Sequence, residues 1–181
     1  MIRRSIGALA LAGMILAVAV PVTSAASVVV PPSRSSDTIV GIAVANGDFT
    51  TLVAAVGCAD PAVATALTSG EQLTVFAPTD AAFGKLGLDA SNVCGAFPQA
   101  TLTNILLYHV ETGRHFSNSV LPKKAGQTKT IDTLLGQSFG VDATGTITTT
   151  SGATTPHIVA ANIPATNGVI HVVDAVLVPS L

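Results

Sequence analysis

Residues 136–140 read Gly136-Gln137-Ser138-Phe139-Gly140, the Gly-x-Ser-x-Gly pattern of a hydrolase nucleophile elbow. Such an elbow holds its serine on a sharp turn between a strand and a helix. Either His157 or His171 follows Ser138 in triad order. What comes next, however, is Val141-Asp142-Ala143-Thr144-Gly145-Thr146-Ile147, which is turn and strand material. Too little chain remains for the α/β sheet that carries an elbow. The local sequence predicts a bent strand between two glycines and a catalytically inert Ser138. His171 and Asp174 suggest a metal site with His109 or His157. On a regular strand, residues three apart point to opposite faces. His171 is therefore expected to be a buried, neutral, hydrogen-bonded histidine, and no metal or other cofactor is expected. Cys58 and Cys94 are the two cysteines of the chain. No Cys-x-x-Cys pairing accompanies them and no histidine is near either in sequence. An even count in an exported protein predicts a disulfide.

The first half of the chain, which must position these residues, reads as helical. Ile39, Ile42 and Ala43 recur at helical spacing, and so do Phe49, Leu52, Val53 and Val56. Asp60-Pro61 is an N-cap followed by Pro at the first helical position, opening a helix to about Leu67. Leu73 to Ala77 is a short strand. Thr79 is suited to N-capping a helix that runs to about Leu86, and the charge of Asp80 suits its dipole; both roles are structural. A further helix from Pro98 turns inward Leu102, Ile105 and Leu106 and passes into an extended Leu107-Tyr108-His109-Val110. Beyond Gly113, Thr and Gly become frequent and helical periodicity ends. Strands are expected at 128–132, 138–141, 146–150, 157–163 and 169–177, with a hairpin turn over 142–145. Asn167-Gly168 is a turn signal, because both residues tolerate positive φ. The β-branched run after it reads as a strand buried on both faces. Helices followed by closely spaced strands give an α+β domain.

The N-terminus is a separate matter. Arg3 and Arg4 precede an apolar stretch, Ile6 to Val20, that falls short of the ~20 residues of a bilayer span. Ser24-Ala25-Ala26 supplies a small-residue cleavage site. Residues 1–26 are read as a signal peptide, 27–36 as a flexible leader, and 37–181 as one domain. The cleaved protein would then not be an integral membrane protein. Eight Lys and Arg against ten Asp and Glu, with no basic patch beyond Lys123, Lys124 and Lys129, argue against nucleic-acid binding. Trp is absent and aromatics are few, so the core must be aliphatic.

The two blocks Thr74 to Phe83 and Asn167 to Pro179, in this order and with this separation, resemble the paired signature blocks of the fasciclin (fasciclin I-like) domain family. Leu106-Leu107-Tyr108-His109-Val110 between them resembles that family's Tyr-His motif. The resemblance covers nearly all of 37–179 and is to a secreted, single-domain, bacterial-type member. It implies a wedge of twisted β-sheet carrying several small helices, with the early strand and the last strands paired centrally. Thr79, Asp80, Asn167, Gly168, His171 and Asp174 would belong to the fold signature. The function implied is a non-catalytic adhesion or interaction module, exported to the periplasm or beyond, with an envelope or extracellular protein or glycan as partner. In animal matrix members the Tyr-His motif is implicated in integrin binding, so Tyr108 and His109 are the binding residues the resemblance offers. Their aliphatic flanks read instead as core-facing. The binding surface is therefore expected on the loops 113–128 and 143–156. Alternative functions are a small-ligand carrier, which needs a concave apolar pocket, and a serine hydrolase using Ser138.

N-terminal sequencing of the exported protein is expected to find Ala26 or Ser27 first; a start at Met1 in that fraction contradicts the signal-peptide reading.

Overall fold

The computed structural model describes residues 37–180. The expected signal peptide and leader lie outside these residues. Seven helices and seven strands are described. Three short helices lead, with a 3-10 turn between the first two: α1 (Ile39–Ala45), the turn at Gly47–Phe49, α2 (Thr50–Cys58) and α3 (Pro61–Thr68). Then come β1 (Leu73–Pro78), α4 (Asp80–Gly84), α5 (Val93–Ala96), α6 (Gln99–Tyr108), β2 (Val110–Thr112) and α7 (Ser117–Val120). The rest is β3 (Thr128–Asp132), β4 (Ser138–Asp142), β5 (Ile147–Thr148), β6 (Ile158–Ala165) and β7 (Gly168–Val173). Among the described residues, no single helix is long and apolar enough to cross a membrane.

The strands form two open sheets, one in the order β2-β1-β7-β6 and one in the order β3-β4-β5. At the centre of the larger sheet β1 and β7 run parallel, in register from Leu73↔Gly168 to Pro78↔Val173. All residues of both strands are buried. Period-two alternation explains why. Val75, Ala77, Ile170 and Val172 join the core formed with the helices. Phe76 and Val173 join the core formed with the smaller sheet, against Phe139, Val141, Ile131 and Ile147. A strand covered on both faces has no polar face, which is why both segments are nearly continuous apolar runs.

Several local signals act as the sequence implies. The Asp60 carboxylate accepts from Ala62 N at 2.8 Å, with Pro61 next in line. Thr79 Oγ1 accepts from Ala82 N at 3.2 Å and opens α4. Asp142 Oδ1 accepts from the amides of Thr144 and Thr146 at 2.8 and 2.9 Å and closes the β4–β5 turn. Cys58 and Cys94 are joined across α2 and α5, with Cα atoms 5.6 Å apart and 36 residues of separation. Closing a loop of that length stabilises by roughly 3–4 kcal/mol in the chain-entropy model.

Four expectations need correction. Leu107 and Tyr108 are helical, the last turn of α6, and the extended chain starts at Val110. The final strand ends at Val173, not Leu177. The helix after β1 ends at Gly84, not Leu86. At the β6–β7 turn, Asn167 does not take positive φ. Its side chain matters instead: Oδ1 accepts from Ile39 N at 2.9 Å and Nδ2 donates to Leu67 O at 2.8 Å. Asn167 thus ties α1 and α3 to the start of β7. Gly168 is required by contact. A Cβ there would lie 2.0 Å from Leu73 O and 2.8 Å from Ile39 Cδ1.

Gly168→Ala is accordingly expected to destabilise by about 3 kcal/mol or more, at the upper end of overpacking costs. Urea unfolding measures this, and an unchanged midpoint contradicts the close approach.

Candidate functional site

The motif residues converge on one cross-strand row. Phe76 pairs with His171 on β7, and Phe76 N donates to His109 O on the other side at 2.9 Å. The Phe76 and His171 rings stack with centroids 5.5 Å apart. Tyr108, immediately before, is 0 % exposed and His109 is 2 % exposed.

The geometry fixes the protonation of both histidines. The Leu177 amide can only donate, and it lies 3.0 Å from His109 Nε2. Nε2 must therefore be the bare nitrogen, and Nδ1 carries the proton toward Ile105 O at 2.7 Å. Neutral imidazole offers one donor and one acceptor, and here both are used. His109 closes α6, where Ile105 O lacks its helical partner, and holds the chain beyond β7. Burial pushes its pKa from 6.5 to about 4, against the opposing bond to Ile105. His171 Nε2 faces His115 O at 2.9 Å, so that nitrogen carries the proton. His171 Nδ1 is buried without a partner. Burial lowers the His171 pKa too, with the His115 carbonyl opposing.

Tyr108 joins the two sheets. Its hydroxyl donates to Ser138 O and accepts from Thr150 N, each at 3.1 Å. Its ring meets Phe139 edge-on at 5.6 Å. Ser138 opens β4 opposite Asp132, and its Oγ donates to Asp132 Oδ1 at 2.7 Å. Gly136 stands in a turn at φ +82°, but strand, not helix, follows Ser138. The strand-turn-helix context of a nucleophile elbow is not what surrounds this serine.

The acidic signature residues lie at the far end of the β1–β7 pair. Asp80 does not cap its own helix. Its carboxylate accepts from Thr51 N at 2.7 Å, Thr50 Oγ1 at 2.6 Å and Thr50 N at 3.3 Å, capping α2. Burial works against ionisation there, and the Thr50 and Thr51 bonds outweigh it, so the carboxyl titrates below 3.8. Asp174 accepts from His157 N at 2.7 Å and pairs with Lys85 Nζ at 3.2 Å. Burial again opposes, and those partners hold it below 3.8. His171 and Asp174 thus have separate partners. No group of three or more His, Cys, Asp or Glu able to hold a metal occurs among the described residues.

Other residues carry weight without any local sequence signal. Arg114 donates from Nε and Nη2 to Gly168 O, at 3.1 and 2.8 Å, and from Nη2 to Ala165 O, clamping the β6–β7 turn. Glu111 is half-buried on β2, with Oε1 3.8 Å from His115 Nε2 and Oε2 unpartnered. Burial lifts its carboxyl above 4.5, against nearby His115 and Lys129. The Arg114 contacts join residues 51 and 54 positions apart, which no spacing pattern encodes.

The fasciclin domain family model matches residues 47–179. The chain belongs to the fasciclin domain family. Immunogenic protein MPB70 of Mycobacterium bovis is 34 % identical over 149 residues, covering 80 % of this chain and 70 % of that protein. Protein sll1483 of Synechocystis is 34 % identical over 148 residues, covering 81 % and 76 %. Uncharacterized protein sll1735 of Synechocystis is 36 % identical over 140 residues, covering 77 % and 96 %. Among solved structures, a FAS1 domain pair from the insect cell adhesion molecule fasciclin I superimposes with a TM-score of 0.54 at 19 % identity. That match covers 74 % of this chain and 46 % of the other, so the chain spans about half of the domain pair. At that identity the likeness establishes the fold.

The neutral His109 gives a pH prediction. Its folded pKa lies below the unfolded value, so the unfolded state binds the extra proton between the two. Stability from this site is complete above pH 6.5 and lost as pH falls toward 4. The loss totals about 3 kcal/mol. His171 acts in the same direction and Glu111 in the opposite one, while Asp80 and Asp174 act at lower pH. Comparing wild type with His109→Gln isolates the contribution. Equal pH slopes for the two proteins between pH 6.5 and 4 would contradict the buried neutral imidazole.

Proposed function

We propose that this protein is an exported, non-catalytic adhesion or interaction module that binds an envelope or extracellular protein or glycan through its surface loops. Family membership supports the adhesion class, since the structurally similar fasciclin I is by description a cell adhesion molecule. The Cys58–Cys94 bridge fits an oxidising compartment outside the cytoplasm. The observation that carries the choice of surface is the burial of the signature. Tyr108, His109 and both central strands are inside, bonded within the protein, and cannot meet a partner without unfolding. Exposed polar residues gather elsewhere: 123–130, with Lys123 and Lys124, and the Thr- and Ser-rich stretch with Thr148, Ser151 and Thr155. Recognition sites concentrate on such loops, held by a rigid scaffold. The non-catalytic reading rests on Ser138, whose hydroxyl is engaged by Asp132 and which is followed by strand, not helix.

Binding of labelled mature protein to intact cells of its source tests this. Lys123→Glu with Lys124→Glu, or Thr148→Arg with Thr155→Arg, is expected to reduce binding at least tenfold with an unchanged melting temperature. His109→Gln and Tyr108→Phe are expected to lower the melting temperature and leave binding of the folded fraction intact. If both loop variants bind as wild type while a folded Tyr108→Phe or His109→Gln loses binding, the Tyr-His motif is the contact and the loop reading is wrong.

A further inference from the structure

We propose that a cavity beneath the N-terminal helices binds an uncharged aliphatic chain, independently of the surface loops. The cavity measures about 70 Å³ and lies between α1, α2, α3 and α6 and the strands β1 and β2. Val75, Leu106 and His109 belong to its buried floor. Val40, Ala43 and Val56 also line it and are only half-buried, so it opens toward solvent between α1 and α2. Val44, one helical turn beyond Val40, is 63 % exposed and extends the apolar track outward.

Three arguments select the guest. The first concerns water. A cavity of roughly 10–15 Å³ can hold one water molecule, so this one has room for several. Buried water needs two to four polar partners. His109 is the polar side chain in the lining, and both of its ring nitrogens are already engaged, with Ile105 O and Leu177 N. Water therefore has nothing to hold it, and an apolar guest does. The second is packing. Interiors are normally filled to crystal-like density, yet small side chains, Ala43 and the valines, stand here at a junction of three helices. The third is charge. From Ile39 to Thr68 the only ionisable side chains apart from the bridged Cys58 are Asp48 and Asp60, with no Lys or Arg. Within these three helices a fatty-acid carboxylate would meet no cation. The guest is thus an alkyl or isoprenoid chain without a negative head, its end in the cavity and its stem along the Val40–Val44 face.

The test uses 1-decanol and decanoate, at pH 8, with the mature, disulfide-bonded protein. Melting temperature and methyl NMR shifts are followed during titration. Decanol is expected to raise the melting temperature saturably and to shift the methyls of Val56, Val75 and Leu106. Decanoate is expected to bind at least tenfold more weakly. Ala43→Phe places a ring in the void and is expected to weaken decanol binding at least tenfold. Val56→Phe serves the same purpose if the first variant fails to fold. No saturable response in wild type overturns the proposal. So does an equal response in wild type and a folded, filled variant, which marks surface partitioning. Decanoate binding as tightly as decanol overturns the choice of an uncharged guest.

Discussion

The parallel pairing of β1 with β7 is the constraint on which the rest of the fold depends. Both strands are covered on both faces, so their backbone groups have no water to turn to, and each must be satisfied by a neighbouring strand. This requires the two backbones to meet without interference at the point of entry, where Gly168 passes Leu73. It also requires the register to be pinned there. Asn167 does so from the helix side and Arg114 from the opposite flank, both through bonds to backbone groups. At the other end, Thr79 starts α4, Asp80 caps α2, and Asp174 receives Lys85 and the His157 amide. The signature residues are the fittings at the two ends of one strand pair.

The same constraint explains two histidines in an aliphatic interior. Each reaches a backbone group that lies outside the regular ladders. His109 serves Ile105 O at the end of α6 and the Leu177 amide past the end of β7. His171 serves the His115 carbonyl. A carboxylate could not donate at these positions, and a lysine could not accept. At His109 neutral imidazole does both at opposite edges of one ring, with the consequence that acid works against the folded state there.

Much of this architecture was legible in the residues, because it rests on local rules. The two apolar runs, the Asp60-Pro61 start of α3, the Thr79 cap and the even cysteine count each point to what is observed. The departures trace to side-chain hydrogen bonds and to short elements. Leu107 and Tyr108 have strand-like types, yet they continue α6, whose end is held by the His109 ring. The β-branched run after Asp174 looks like more strand, but Asp174 and Leu177 are bonded to His157 and His109 and leave the ladder. The helices α5 and α7, of four residues each, are too short to show a period. The helix-side cavity was illegible because four helices and two strands build it, and no single segment carries its pattern.

Native-state hydrogen exchange on the protein tests most directly the claim that the signature is a buried structural core. The amides of Val75, Phe76, Ala77, Ile170 and Val172 should be the slowest of all, exchanging only through global unfolding with a free energy equal to that from urea denaturation. Those of residues 123–127 and 151–153 should exchange orders of magnitude faster. Exchange of the β1 and β7 amides by local opening, at free energies well below the global value, would show that the strand pair can be exposed without unfolding the domain, and would contradict the account.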